Sequence, residues 1–242
     1  MPEKSVSVLL IDLGNTRLKW QLRNASRIAA NGVSAYDDGL TENLPDADKV
    51  LVASVRERAD IKSALEYRYG KRLHWLGETP AQVTLIAHCY SQPSRLGVDR
   101  WLAMLGARQH KQGALLVVDA GTALTADLLS AEDRHEGGFI VPGLALSAQA
   151  LFNSTDRVKS YLDEQGGINT GPGTSTVACV VQGARRQQLS FVHSLLVDFP
   201  AHELMITGGD GQWLSTELKL NFYSDLVFDG MDSLCAGSFL PW

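Results

Sequence analysis

One short pattern occurs twice, and it constrains the fold more than any other feature of the chain. Leu9, Leu10, Ile11, Asp12, Leu13 and Gly14, followed by Asn15 and Thr16, recur 107 residues later as Leu116, Val117, Val118, Asp119, Ala120 and Gly121, followed by Thr122. Each copy reads as an apolar strand that ends on an aspartate and turns at a glycine. After the first turn, Arg17 to Leu22 alternates in polarity, so the unit is a hairpin with an acidic residue at its bend. One such match is an ordinary strand-to-turn sequence. Two, separated by nearly half of 242 residues, predict a duplicated domain. The boundary falls at Gln112 and Gly113, giving domains 1–113 and 114–242.

The remaining pattern is α/β. Lys49 to Ser54 reads as a strand, and Glu57 to Tyr69 and Val98 to His110 as amphipathic helices. In the second half, Ser175 to about Leu196 is helical in period, and a strand from Glu203 runs into Gly208, Gly209 and Asp210. Hydrophobic residues at 45% and charged residues at 20% exclude a disordered chain, a collagen and a coiled-coil rod. A net charge of -5 without a basic cluster argues against a nucleic-acid binder. No apolar run approaches the ~18 residues of a membrane span, and the N-terminal one is too short for a secretory signal. Cys89, Cys179 and Cys235 are odd in number and widely spaced, which predicts buried thiols in the reducing cytoplasm.

Several chemistries find no support. The sequence holds no Walker phosphate loop, no G-x-S-x-G and no H-E-x-x-H, and its six histidines are scattered. The paired hairpins suit phosphate instead. Gly14 and Gly121 let main-chain N–H groups come close to an anion, the hydroxyls donate, and the carboxylates organise a hydrated cation. Lys19, on the face opposite Leu18 and Trp20, is placed to reach a terminal phosphate. A bland account also exists: a turn with Asp and Gly in their usual positions and a solvated lysine. A second cluster, Tyr90 with Gly97, Val98, Asp99, Arg100 and Trp101, enters a helix. There Asp99 is either a first-turn carboxylate worth about 0.3 to 1 kcal/mol to the helix, or a base for phosphoryl transfer with Arg100 orienting an anionic acceptor.

Taken together, Asp12 to Trp20, Tyr90 with Pro93 and Leu96 to Trp101, Val118 to Thr125, Gly137 to Gly143 and Thr207 to Asp210 strongly resemble type III pantothenate kinases, the family that includes the Bvg accessory factors. The resemblance implies two ribonuclease-H-like domains of the acetate and sugar kinase, Hsc70 and actin superfold, with ATP in the interdomain cleft. It implies ATP-dependent phosphorylation of pantothenate to 4'-phosphopantothenate in a homodimer, with Mg²⁺ accompanying ATP and K⁺ or NH₄⁺ as a monovalent cation. By the family's pattern, Asp12, Leu13, Gly14, Asn15, Thr16, Arg17, Leu18 and Lys19 form the phosphate-binding stretch, with Thr122 a further ATP contact. Asp99 is the proton acceptor; Tyr90, Gly97, Val98, Asp99 and Arg100 hold pantothenate; Asp119 ligates the monovalent cation. Thr176 is the second substrate contact, with Thr174 the alternative. Leu144 to Leu151 lacks the expected methionine, and Thr155 to Ser160 departs from the usual Thr-Ala-x-Leu-Pro. Two rivals stay open: another kinase or a phosphatase of the superfold, and a regulatory protein that binds nucleotide without turning it over.

Overall fold

The computed structural model describes residues 6–36, 43–55, 58–77, 85–167, 170–236 and 240. The chain divides into two compact units, one formed by residues up to Lys111 together with those from Asp225 onward, the other by Gln112–Ser224.

In the first unit, β1 (Ser7–Leu13), β2 (Arg17–Asn24), β3 (Arg27–Ala35), β4 (Lys49–Ser54) and β5 (Leu73–Leu76) form one sheet in the order β3-β2-β1-β4-β5. The first three strands are antiparallel neighbours, and β4 and β5 join in parallel. One sheet face is apolar: Leu9, Ile11, Leu13, Leu18, Val50 and Val52 pack with Ile61, Leu65 and Tyr69 of helix α1 (Ala59–Tyr69). Residue 57, the expected start of that helix, lies outside the described residues. The alternation seen in β2 follows from this packing, because successive side chains leave a strand on opposite faces.

The second unit repeats the plan. Strands β6 (Leu115–Ala120), β7 (Ala123–Leu129), β8 (His135–Pro142) and β9 (Glu203–Thr207) are ordered β8-β7-β6-β9, with β9 parallel to β6 and the other neighbours antiparallel. Leu116, Val118, Leu124, Ala126 and Ile206 form a core with Val192 and Leu195 of helix α4 (Thr176–Asp198) and Leu214 of α5 (Gly211–Leu218). Helix α3 (Leu144–Ser154) follows β8. In each unit the repeated aspartate therefore stands at the carboxyl end of the first strand, between a hairpin partner and a parallel strand. No helix among the described residues is long and apolar enough to cross a membrane.

Two expectations are corrected. The C-terminal segment does not belong with the second unit: α6 (Leu226–Ala236) packs against α2 (Val98–His110) in the first. The cause is a pair of glycines on facing positions. A Cβ on Gly106 would lie 1.8 Å from the Leu226 carbonyl oxygen, and one on Gly230 would lie 2.1 Å from that of Leu102. Backbone meets backbone here, which only glycine permits. The polar face of β2 secures the same helix. Buried Arg23 pairs with Asp229 at 2.8 Å and Asp232 at 3.4 Å, and also donates to Gln21 Oε1. Gln21 Nε2 donates to Asp225, and His110 Nε2 lies 2.8 Å from Asp229 Oδ2. A buried guanidinium needs such partners to offset its desolvation.

The cysteines are the second correction. Cys89 and Cys179 are exposed, because they lie on a surface loop and on the outer side of the first turns of α4. Cys235 is half-buried, and burial together with Asp232 pushes its thiol up to about 12.

Gly106→Ala is expected to destabilise the protein by about 1–3 kcal/mol, since α2 and α6 must separate to admit a methyl group. Urea unfolding measures this, and an unchanged midpoint would contradict the close approach.

Candidate active site

The cluster of Gly97, Val98, Asp99 and Arg100 is assembled at the start of α2, which is buried along nearly its whole length. Gly97 precedes the helix in an extended conformation, and Val98 and Arg100 are anchored in the interior. Asp99, half-buried between them, folds back over Gly97: its Oδ1 accepts from the Arg100 main-chain N–H at 2.8 Å. A Cβ on Gly97 would fall 2.6 Å from that oxygen. Glycine is needed here for space rather than for backbone freedom. Arg100 Nη1 donates to the Tyr90 hydroxyl at 3.0 Å, and its guanidinium sits 5.9 Å from the Tyr90 ring centroid. The structure thus brings Tyr90, Gly97, Asp99 and Arg100 into one array: a carboxylate, an aromatic hydroxyl and a bidentate cation at a helix N-terminus. Such an array can accept a proton and hold an anion.

The residues Asp12 to Lys19 form the end of β1, the turn and the start of β2. Asp12 and Lys19 are direct cross-strand partners, so their side chains share a face. The turn is held by Tyr36, a residue that belongs to no motif. Its hydroxyl donates to the Gly14 carbonyl at 2.6 Å and lies 3.3 Å from that of Arg17. Asn15, Thr16 and Arg17 are exposed, so the turn's donors face outward, while Leu13 and Leu18 anchor both sides in the core.

In the second unit, Asp119 lies opposite Thr125 on β7 and Thr207 on β9. Gly208 follows β9 at a φ of 94°, and a Cβ there would lie 2.3 Å from Asp119 Oδ1. The left-handed turn and the closeness of the carboxylate both demand glycine. Thr122 occupies the hairpin bend, where its carbonyl accepts from Gly143 at 3.0 Å. Burial raises the pKa of the neighbouring Asp210, with Arg185 opposing the shift. Thr176 opens α4 one residue after the N-cap Ser175, whose hydroxyl accepts from Ala178 N at 3.2 Å. Thr174 and Thr176 line one shallow depression with Val158, Gly173 and Cys179, so position alone does not choose between them.

A family model for type III pantothenate kinase matches residues 8–198. A type III pantothenate kinase from Pseudomonas fluorescens is 33% identical over 94% of this chain and 98% of its own length. Another from Idiomarina loihiensis is 34% identical over 95% and 98% respectively. The chain belongs to the type III pantothenate kinase family. The reaction of this family is ATP-dependent phosphorylation of pantothenate for coenzyme A biosynthesis, and the chain is a kinase of that kind. Among solved structures, a Baf-family protein from Campylobacter jejuni superposes with a TM-score of 0.62 at 24% identity, covering 94% of this chain and 97% of that one. A sugar-acid kinase homologue from Sinorhizobium meliloti, assigned as a 2-dehydro-3-deoxygalactonokinase, gives 0.56 at 13% identity, covering 97% and 100%. Both establish the fold: two ribonuclease-H-like units of the sugar kinase and actin type.

Gly97→Ala is expected to leave the melting temperature nearly unchanged while lowering kcat by roughly 10²-fold, because the atom that must yield is the tip of the Asp99 side chain and a displacement of about 1 Å at a reacting group has that order of cost. Wild-type turnover in Gly97→Ala would show that the carboxylate's position over Gly97 is immaterial.

Proposed function

We propose that the chain transfers the γ-phosphoryl group of ATP to the primary hydroxyl of pantothenate with Asp99 as the proton acceptor. The observation that carries this reading is the Asp99 carboxylate held beside the Arg100 and Tyr90 pair. The hydroxyl oxygen attacks phosphorus, the bond to the β-phosphate oxygen breaks, and the hydroxyl proton passes to Asp99. Arg100 and Tyr90 hold the acceptor's carboxylate, with Gly97 and Val98 shaping the contact and Thr176 the candidate for a second one. The turn from Asp12 to Lys19 takes the phosphates: Leu13 and Leu18 fix it, Gly14, Asn15, Thr16 and Arg17 offer donors, and Lys19 supplies charge. Thr122 contacts the same nucleotide.

A divalent ion carried by ATP needs only one or two carboxylates from the protein. Asp12 provides one, and Mg²⁺ is the ion we assign. Asp119, an oxygen donor held beside Gly208, is the residue we assign to K⁺ or NH₄⁺. The added positive charge would offset an acidic chain and help hold the phosphates. The ATP requirement and three cysteines outside any disulfide fit a cytoplasmic enzyme.

We also propose a homodimer. Helix α3 carries Leu144, Leu146, Leu151 and Phe152 yet buries none of its residues, and Ile140 on the adjoining strand is 61% exposed. An apolar helix and strand left open in this way suit a second copy of the chain.

An ADP-release assay tests the reaction. ADP is expected to appear only with pantothenate present, to fall by roughly 10² to 10⁴ in Asp99→Asn, and to rise when K⁺ or NH₄⁺ replaces Na⁺ at constant ionic strength. Equal release without pantothenate would favour a plain ATPase. Light scattering tests the assembly: Ile140→Glu is expected to halve the mass of the wild type, and a monomeric wild type would refute the dimer.

A further inference from the structure

The turn from Asp12 to Lys19 does not fix its own peptide planes. Gly14 stands beyond the last cross-strand pair of its hairpin, Leu13 with Leu18, so the strand ladder does not set the plane of the peptide between Gly14 and Asn15. Glycine adds no side chain to resist rotation of that plane. The constraint comes from a residue outside the hairpin. β3 ends at Ala35, opposite Arg17, and Tyr36 follows at the level of the bend. Its hydroxyl carries a single proton. Of the two carbonyls within reach, that of Gly14 at 2.6 Å takes it in preference to that of Arg17 at 3.3 Å.

The consequence lies on the other side of that peptide. The bond is trans and planar, so its carbonyl and its N–H point in opposite directions. Holding the Gly14 oxygen on Tyr36 therefore aims the Asn15 N–H away from the tyrosine, at an exposed residue of the bend. A main-chain donor oriented before an anion arrives needs no reorganisation to bind it. The ring that does the holding is itself secured. It packs in part against the core of the first sheet, and the Arg58 guanidinium lies over it, 5.2 Å from its centroid. Arg58 is fixed in turn by two contacts with Asp60, of 3.0 and 2.6 Å, at the start of α1.

We propose that Tyr36 is a positioning residue for ATP, holding the peptide between Gly14 and Asn15 with its N–H turned to the phosphates. The role rests on the reading of Asp12 to Lys19 as the phosphate turn, and adds to that turn a residue from beyond β3. Tyr36 acts through the main chain and touches neither substrate. None of the residues assigned to pantothenate takes part in the bond, so its loss falls on the nucleotide alone.

Steady-state kinetics of Tyr36→Phe, with each substrate varied in turn, test the role. Phenylalanine keeps the ring, its packing and the Arg58 stack, and removes only the hydroxyl. The KM for ATP is expected to rise roughly three- to tenfold, the worth of one hydrogen bond, with kcat and the KM for pantothenate close to wild type. Calorimetric titration with a non-hydrolysable ATP analogue and Mg²⁺ is expected to show the same loss. A tyrosine with a structural role only would lower the melting temperature and leave the KM for ATP unchanged. Lys19→Gln, which withdraws the charge of the same turn without touching Tyr36, separates the proposal from the reading beneath it. Weaker ATP binding in Lys19→Gln with none of that loss in Tyr36→Phe overturns the positioning role and leaves the phosphate turn standing. Wild-type binding in both variants removes the turn from the site and the proposal with it. An equal rise of both KM values in Tyr36→Phe also overturns the role, since a positioned phosphate donor has no bearing on pantothenate.

Discussion

The first unit depends on the contact between α2 and α6, where two glycines let helix backbones touch. The placement of the residues at the head of α2 follows from that contact. Asp99, Arg100 and the turn at Gly97 stand at the head of α2, so their position is set by how deeply that helix is seated, and α6 seats it. Van der Waals contact alone would allow the helices to slide. The network of Arg23, Gln21, Asp225, Asp229 and Asp232 fixes the register, because a displaced buried guanidinium would lose carboxylates it cannot replace with water. A shape constraint and a charge constraint therefore act on one helix pair, and the arrangement of Gly97, Asp99 and Arg100 inherits their precision.

The second unit secures its aspartate by a different route. Asp119 is flanked by sheet partners on both sides, and the chain around it is bent by Gly208 and Gly143, each approaching backbone or carboxylate too closely for any side chain. The duplication has kept the strand order and the position of the acid but not the surroundings. Asp12 faces a lysine across its hairpin, Asp119 a threonine. One environment supplies a cation and the other lacks one, so the two aspartates are equivalent in position and unlike in electrostatics.

Much of this was legible in the sequence, for a physical reason. Strands that bury one face announce themselves by period, so β1, β2, β4 and β6 and the extent of α2 could be read directly, and the repeated aspartate pointed to two similar units. What escaped notice was whatever lacks an apolar face or depends on distant residues. β3 is an edge strand with nearly every side chain exposed, so it carries no hydrophobic period. The polar residues of β2 carry no local sign of a cover, yet α6 covers Gln21 and Arg23. That helix lies about two hundred residues further along the chain, and no local pattern reports such a pairing. Tyr36 and the fit of Asp99 over Gly97 are likewise matters of closeness in space. The cluster from Gly97 to Arg100 was named from its chemistry, but the reason a glycine stands there came only from coordinates.

The return of α6 to the first unit also bears on how the chain acquires its structure. During synthesis, the sheet that carries the phosphate turn and the helix that carries Asp99 leave the ribosome long before their clasp exists. The whole of Gln112–Ser224 must be made in between, a delay on the order of ten seconds at typical elongation rates. For that interval Arg23 lacks its two carboxylates and the glycine face of α2 lacks its helix, whereas the second unit, continuous in sequence, can close as soon as it emerges. The order of maturation is thus the reverse of the order of translation, and the head of α2 with Asp99 is the last part to be set.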